Sequence, residues 1–582
     1  MKNKIVRSIF ALLALSLLFT VPRAQQSTQS PDDRAALYQA LLDLTNPWTV
    51  MCVAAHPDDE DGTSLIVMRR KYGAHTVSLF STFGEGGQNA IGPELYEELG
   101  AIRARETMAA AEIQGSEPYF LGLKDFGYSK TADEAFKFWG HEEALRRMVL
   151  EIRKLRPDVI ITNHSVLNND HGHHQATARL ELEAFDAAAD PNRFPEQLKD
   201  GVTTWQVQRL FVRKRGNQAV QNPDRQGGGE QIVTIDPNER DPVRGMVYAE
   251  EALRALQKHA TQGPWPKTFA EYANRFRAFS GQQGGTPGQL PLIRYALVRE
   301  AKSAAPLSAK DSHNFLDGLA LPADIAQDLA APTVNGSPID FSHNRMQAVD
   351  EYFKAYRAGR YDSTADSTVQ RRERMHRNVE LAVTLAAGLH FEMQVAEPVI
   401  PNSTVNATIR VANSGTAPSD VFDCGNRSIM TQQQALNEID KRVNHSTSSG
   451  RTRVAPGTTI SLSDKIQIPG NVKINVPLAE HLYEPSGLGL NRSPAASRCR
   501  AAGRDCEHRA VAARIVSRKS ETRTGDFHGD CDQPSECAVR RPVYGGCKHH
   551  RQLAQRNCHK TGGGREEDDH LHLRTPRRRQ SG

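Results

Sequence analysis

The chain has 582 residues, of which 24% are charged and 38% are hydrophobic, and its mean hydropathy is −0.55. This length predicts about three or four domains, and the composition excludes a polytopic membrane protein and a wholly disordered or collagen-like chain. The formal net charge is +5, but residues 491–582 have 20 basic and 11 acidic residues, a net charge of +9, so the rest of the chain has a net charge of −4. Nucleic-acid binding by the main body is therefore not expected.

The N-terminus has the pattern of a secretory signal peptide. Three basic residues precede an uncharged apolar run over residues 9–21, which is shorter than the roughly 20 residues that span a bilayer. Ala24 suits a cleavage site. The pattern predicts a signal peptide over residues 1–24, export to the periplasm or the cell exterior, and no membrane segment in the mature protein. An uncleaved N-terminal anchor is the alternative.

Apolar strands alternate with amphipathic helices over residues 46–265. Residues 49–55 and 157–162 are largely apolar runs, typical of parallel strands that are buried on both faces. Residues 98–114 and 142–155 have helical periodicity. This alternation predicts an α/β domain with a Rossmann-like, mostly parallel sheet and flanking helices.

Three further regions follow this domain. Residues 266–380 combine Gly and Pro with helical stretches, which predicts a helical connector. Over residues 383–480 the apolar period changes to two, which predicts a small β-sandwich. Residues 485–582 have no apolar periodicity and are rich in Arg, Ser, Gly and Cys, which predicts a disordered or out-of-frame basic tail without a function. A genuine basic tail is the alternative.

The clearest pattern of chemically active residues follows the first buried strand. The run from His56 to Glu60 lies at the edge of an open α/β sheet where ligands bind. Unpaired carboxylates are costly to bury, so a cation is expected beside them. His56 and Asp59 are suitable zinc ligands, and Asp58 is left free to face a metal-bound water. An acidic surface turn is the alternative for this cluster alone.

A second cluster, residues 170–174, follows the strand at residues 157–162 and precedes a helix. It contains three histidines, His171, His173 and His174, which point to metal binding or acid–base chemistry. A solvated histidine-rich loop is the alternative. Because both clusters follow strands of one parallel sheet, we expect them at the same edge.

These segments resemble the PIG-L/LmbE-like family of metal-dependent N-deacetylases. The run A-H-P-D-D-E is the most specific mark of that family, and the glycine turn at residues 84–87 and the R-x-x-E pattern at residues 103–106 also match. An L-G-x-x-D segment that ends at Asp125 and an H-x-x-Q segment that begins at His259 are similar to the family as well. The resemblance covers about residues 46–265.

The resemblance implies a catalytic metal site with three protein ligands and an open position for water. The implied ligands are His56, Asp59 and His174. The implied metal is Zn²⁺, and Fe²⁺ or Co²⁺ would also suit this set. His173 stands where one form of the family motif has Asp and remains an alternative ligand, although the i, i+3 spacing from His171 favours His174.

The resemblance also implies roles in catalysis. Asp58 is the implied general base, and His171 is implied to stabilise the tetrahedral oxyanion. Substrate contacts are implied for Arg103, Asp125 and His259. The implied activity is that of an exported hydrolase that removes the acetyl group from an N-acetylated amino sugar, such as an N-acetylglucosamine derivative, or from a glycoconjugate.

Two other classes of function remain as alternatives. One is a carbohydrate-binding or scaffold protein with a vestigial metal site. The other is a metal-dependent amidase that acts on a non-sugar substrate. No nucleic-acid partner is expected. The sequence does not indicate the oligomeric state or the role of the β-sandwich.

Overall fold

The computed structural model describes residues 31–319, apart from 168–169, 200–201, 216–229, 281–287 and 308–310, together with short segments between residues 333 and 502. The predicted signal peptide lies outside the described residues, as does most of the predicted tail. All described residues belong to one unit, which ends at Ser517. Among the described residues, none of the helices has the length and hydrophobicity of a membrane span.

Eight strands form the central sheet. They are β1 (Thr49–Ala54), β2 (His75–Phe80), β3 (Ser116–Phe120), β4 (Val159–Thr162), β5 (Arg209–Arg213), β6 (Ile232–Ile235), β7 (Ile293–Glu300) and β8 (Asp311–Ser312). Their order across the sheet is β3-β2-β1-β4-β5-β7-β6-β8. Neighbours from β3 to β5 are parallel, whereas β7 is antiparallel to both β5 and β6. This mostly parallel sheet confirms the predicted α/β fold class.

Helices cover both faces of the sheet. They are α1 (Pro31–Asp43), α2 (Gly62–Arg70), α3 (Tyr96–Gln114), α4 (Ala132–Trp139), α5 (His141–Leu155), α6 (Gly172–Ala187), α7 (Pro195–Lys199), α8 (Tyr248–Leu256) and α9 (Phe269–Ser280). Met51 and Val53 of β1 pack in one apolar cluster with α5 and α6, while Val50 and Cys52 pack in another with α2 and α8. Because successive residues of a strand face opposite sides, β1 is apolar throughout.

The central sheet continues beyond residue 265, where the helical connector was predicted to begin. Helix α9 lies in that region, but β7 and β8 pair with β5 and β6 in the central sheet. The prediction of a helical connector is therefore wrong over these two strands. The physical reason is that residues 295–298 are apolar and buried, and β7 covers the edge of β5 that would otherwise expose unpaired backbone groups.

Antiparallel strands occupy the region predicted as a β-sandwich. A short antiparallel pair, β9 (Thr333–Val334) and β10 (Ser337–Pro338), precedes this region and lies within residues 266–380, where a helical connector was predicted. The strands that follow are β11 (Leu389–Val395), β12 (Thr404–Asn413), β13 (Ser419–Asp423), β14 (Arg451–Val454), β15 (Thr459–Gln467) and β16 (Cys499–Ala502). They form two three-stranded sheets, β11-β12-β15 and β14-β13-β16. Buried and exposed residues alternate along β12, which agrees with the predicted period of two.

Strand β16 lies within residues 485–582, for which a disordered or out-of-frame tail was predicted. It pairs with β13, so that prediction is wrong for these four residues. Main-chain hydrogen bonds along the edge of a strand require no apolar periodicity, which is why the sequence pattern did not indicate it.

Arg153 stabilises the connection between α6 and α7. Its side chain is fully buried, and its guanidinium donates hydrogen bonds of 2.8–3.2 Å to five backbone carbonyl oxygens, those of Ala187, Ala188, Asp190, Arg193 and Phe194. A buried acceptor that loses its donor costs about 1–3 kcal/mol.

We therefore expect Arg153→Leu to lower the free energy of unfolding by about 3–5 kcal/mol, measured by urea denaturation. Lys154→Ala is the matched control, because Lys154 is the next residue of the same helix and its side chain is 40% exposed. The control should change the free energy of unfolding by less than about 0.5 kcal/mol. Equal effects of the two substitutions would contradict the structural role of Arg153.

Candidate active site

The two predicted clusters meet at one edge of the central sheet. Residues 56–61 follow β1, and His171 is the N-cap of α6, which follows β4 along the chain. β1 and β4 are adjacent and parallel, so the loops after them share the edge formed by the strand carboxyl ends. The first turn of α6 places His173 and His174 against His56.

The three predicted metal ligands converge. Asp59 Oδ2 lies 2.9 Å from His56 Nδ1 and 3.2 Å from His174 Nε2, and the two ring nitrogens are 3.3 Å apart. A tetrahedral zinc ion with bonds of about 2.0–2.1 Å separates its ligand atoms by about 3.3 Å. The three atoms therefore have the spacing of one face of such a site, and the residues fit a divalent metal.

The ionisation states of Asp59 and His174 depend on each other. Burial opposes ionisation of Asp59, but His174 and His56 outweigh it and hold the pKa of Asp59 well below its ordinary value. Burial also opposes a charge on His174, but the carboxylate of Asp59 outweighs it and raises the pKa of His174. Asp59 is therefore an anionic ligand at neutral pH, as a divalent cation requires.

His173 belongs to a second possible set of ligands, with His56 and His171. It is fully buried, and its Nδ1 lies 3.1 Å from His56 Nε2, the ring nitrogen that is not directed at Asp59. Its own ring stacks on Trp139 at 5.0 Å between centroids. An imidazole that binds a metal through one nitrogen usually gives its other nitrogen to a hydrogen-bond partner. His173 suits that role toward His56.

Asp58 lies in the same loop as His56 and Asp59. Its backbone has a φ of +88°, which is rare for a residue with a side chain, and its amide donates a 3.0 Å hydrogen bond to Glu60 Oε2. Residues in such strained conformations cluster at functional sites. Burial, followed by the charges of Asp59 and Glu60, raises the pKa of Asp58 well above its ordinary value. A carboxylate with a raised pKa is a stronger proton acceptor.

His171 is a neutral ring beside the metal-binding cluster. Burial, followed by the nearby His56 and His174, lowers the pKa of His171 to about 4. Its Nδ1 accepts a hydrogen bond from the backbone N–H of His173 at 3.2 Å. In the neutral ring the proton therefore lies on Nε2. This tautomer leaves Nε2–H available as a hydrogen-bond donor, as the predicted oxyanion role requires.

His164 was not among the predicted site residues. It lies two residues after the end of β4, and its Nε2 accepts a 2.9 Å hydrogen bond from the backbone N–H of Ala55. Its ring centroid lies 4.4 Å from that of His174. Burial, followed by the nearby His174, lowers the pKa of His164 to about 3, so the ring is neutral. Its position after a buried parallel strand is the feature that could have indicated it.

Arg103 is buried beneath the glycine-rich turn. Its guanidinium donates hydrogen bonds to the carbonyl oxygens of Gly84 and Gln88 and to Thr261 Oγ1. A Cβ atom at Gly84, whose φ is +71°, would lie 2.6 Å from the guanidinium, so this close approach requires glycine. Glu106, the partner in the R-x-x-E pattern, accepts a 2.6 Å hydrogen bond from Thr261 Oγ1.

Asp125 and His259 are also buried. Asp125 Oδ2 lies 3.7 Å from His56 Nε2, and its Oδ1 accepts a 2.8 Å hydrogen bond from the backbone of Gly127. His259 has no exposed surface, and its Nε2 lies 3.6 Å from Glu60 Oε1. Among the described residues, neither ring nitrogen of His259 has a hydrogen-bond partner.

The three residues predicted to contact substrate are therefore each at most 4% exposed. Hydrogen bonds to backbone groups of the surrounding loops hold Arg103 and Asp125. The substrate contacts implied for Arg103, Asp125 and His259 stay predictions.

The chain is similar in sequence to known proteins over the region that contains the site. The family model described as PIG-L, GlcNAc-PI de-N-acetylase, matches residues 51–185, which contain the whole metal-binding cluster. The 1D-myo-inositol 2-acetamido-2-deoxy-alpha-D-glucopyranoside deacetylase of Geodermatophilus obscurus is 30% identical over 254 residues, which are 38% of this chain and 84% of the relative. The protein of the same name from Segniliparus rotundus is 30% identical over 309 residues, which are 46% of this chain and 96% of the relative.

A solved structure is also similar. It is the N,N'-diacetylchitobiose deacetylase from Pyrococcus horikoshii in complex with an inhibitor, with 19% identity and a TM-score of 0.30 over 46% of this chain and 92% of that chain.

The similarity to the curated deacetylases extends over most of their length and is not confined to a short motif. The relatives are deacetylases and an amidase, all of which hydrolyse amide bonds. The chain belongs to the PIG-L family of N-deacetylases.

Proposed function

We propose that the chain is an exported, zinc-dependent deacetylase that removes the acetyl group from an N-acetylated amino sugar or a glycoside of one. The observation that carries the proposal is the convergence of His56 Nδ1, Asp59 Oδ2 and His174 Nε2, with Asp58 in the same loop. Relatives named as glucopyranoside deacetylases support the sugar substrate. Export is supported by the pattern of residues 1–24 alone.

Two imidazoles and a carboxylate would hold the metal. A metal ion bound there would supply Lewis acidity, which polarises an amide carbonyl and lowers the pKa of a water. Asp59 Oδ2 accepts a 3.0 Å hydrogen bond from the backbone N–H of His56, and His173 Nδ1 lies 3.1 Å from His56 Nε2. Asp59 and His173 together therefore fix the orientation of the His56 ring before a substrate binds.

Asp58 would transfer the protons, and His171 would stabilise the negative charge that develops on the oxygen. Asp58 accepts the proton of the attacking water as a new C–O bond forms at the amide carbon, and it then gives that proton to the departing nitrogen as the C–N bond breaks. His171 donates from Nε2–H to the oxygen on which negative charge develops. The products are acetate and a free amine.

Metal removal should abolish this activity. We expect dialysis of the purified protein against a chelator to stop acetate release from N-acetylglucosamine glycosides, and one equivalent of Zn²⁺ per chain to restore it. Metal content is measured by mass spectrometry and acetate by a coupled enzymatic assay. Undiminished acetate release from metal-free protein would contradict the metal dependence.

The acetate-release assay also distinguishes the proposed deacetylase from the two alternative functions. Sugar binding without acetate release in metal-loaded protein would favour a carbohydrate-binding protein. Hydrolysis of non-sugar acyl amides, but not of acetylated sugars, would favour an amidase. One of the relatives is named as a mycothiol S-conjugate amidase, so amides other than N-acetyl groups are a necessary part of the screen.

A further inference from the structure

Glu60 is the last residue of the run that begins at His56, and it has no role in the chemistry above. Its side chain is 4% exposed, and neither of the two possible sets of metal ligands contains it. Its Oε2 accepts the 3.0 Å hydrogen bond from the backbone N–H of Asp58. Glu60 therefore contacts the backbone of the proposed base.

The peptide group between Pro57 and Asp58 is held at both ends. Its N–H donates to Glu60 Oε2, and its carbonyl oxygen, which belongs to Pro57, accepts a 2.6 Å hydrogen bond from Gln262 Nε2. The φ of +88° at Asp58 is unfavourable for a residue with a side chain and persists only where the surroundings impose it. Relaxation to a negative φ by rotation of this peptide group would break both hydrogen bonds.

Glu60 is itself held from outside the loop. Its Oε1 accepts a 2.9 Å hydrogen bond from Nε2 of Gln114, the last residue of α3. Gln114 is 3% exposed, and its own Oε1 accepts a 3.0 Å hydrogen bond from Ser116 Oγ at the start of β3. This second bond directs Nε2 of Gln114 toward Glu60. A continuous series of hydrogen bonds thus connects β3 with the backbone of Asp58.

We propose that Glu60 is a positioning residue that holds the peptide group between Pro57 and Asp58 in the conformation that the base requires, and that Gln114 orients Glu60 for this role. The inference rests on the proposed function, because it concerns the base of that reaction. A residue that acts only through Asp58 changes kcat and has little effect on KM or on metal content. Its effect is also lost once the base itself is absent.

The test is a double-mutant cycle with zinc-loaded protein and N,N'-diacetylchitobiose as the substrate. Glu60→Leu should lower kcat for acetate release about 10–100-fold and leave KM within about threefold, because leucine cannot accept the N–H of Asp58. Glu60→Gln keeps an oxygen acceptor without the charge, so its kcat should stay within about threefold of the wild-type value. In the Asp58→Asn background, Glu60→Leu should lower kcat by less than about threefold. Metal content, measured by mass spectrometry, should be the same in all variants.

Gln114→Met tests the same connection from outside the loop, and its result decides the question if Glu60→Leu does not fold. It removes the donor to Glu60 and should lower kcat about three- to tenfold with unchanged metal content. Glu151→Leu is the matched control, because Glu151 is a 6% exposed glutamate on α5, outside the site. It should change neither kcat nor metal content.

A kcat of Glu60→Leu equal to that of the wild type would overturn the positioning role and leave the proposed function standing. An equal loss in the wild-type and Asp58→Asn backgrounds would also overturn it, because Glu60 would then act independently of the base. A loss in Glu60→Gln as large as in Glu60→Leu would assign the effect to the charge and reject the hydrogen bond. The absence of acetate release from the wild-type protein would reject the proposed function, and the positioning role with it.

Discussion

Replacing Asp58 with asparagine should leave the metal content unchanged and lower kcat for acetate release by about 10²–10⁴-fold. The amide keeps the size of the carboxylate, but it cannot accept the proton of the attacking water. Asparagine also tolerates the positive φ of this position better than most residues with a side chain. The variant therefore separates loss of the base from distortion of the loop. Metal content is measured by mass spectrometry, and kcat from initial rates.

Asp133→Asn is the matched control, because the Asp133 side chain is 79% exposed on α4. It should retain the activity, metal content and melting temperature of the unmodified protein. Full activity of Asp58→Asn would remove Asp58 from the mechanism. Loss of metal from Asp58→Asn would show instead that Asp58 helps to form the metal site.

The second large expected effect is on metal binding, and it distinguishes the two possible sets of metal-binding residues. We expect His174→Ala to lose its metal on dialysis, because it removes one of the three converging ligand atoms. His173→Ala should keep one equivalent of metal with an affinity about 10–100-fold lower, because it removes only the hydrogen-bond partner of His56. Affinity is measured by competition with a chromogenic chelator.

His141→Ala is the control for both histidine variants, because its side chain is 37% exposed on the surface of α5. It should change neither the metal content nor the affinity. Metal loss from His173→Ala, together with metal retention in His174→Ala, would show that His56, His171 and His173 bind the ion.

The position of the site could be predicted from the sequence because few elements determine it. A strand that is apolar throughout is buried on both faces, and the chain must leave it at the sheet edge where ligands bind. His56 and the histidines at the start of α6 follow two such strands. The sequence favoured His174 over His173 only through its i, i+3 spacing from His171. Successive helix residues are rotated by about 100°, so the two rings approach opposite nitrogens of His56, and only the structure shows which approaches which.

The features that were missed depend on contacts between distant parts of the chain. Strand β7 is defined by its pairing with β5, and their residues are more than 80 positions apart. A substrate contact was implied for Arg103, but two of its partners are backbone carbonyls, which no sequence pattern specifies. The hydrogen bond from Gln114 to Glu60 joins residues 54 positions apart.

His173 has a further consequence for how this protein can vary. The same imidazole packs against the indole of Trp139 on one side and holds His56 on the other. A change of side-chain volume at position 139 would therefore displace a group that orients a ligand. Substitutions in this part of the hydrophobic core are therefore limited by the need to keep His56 in position at the sheet edge.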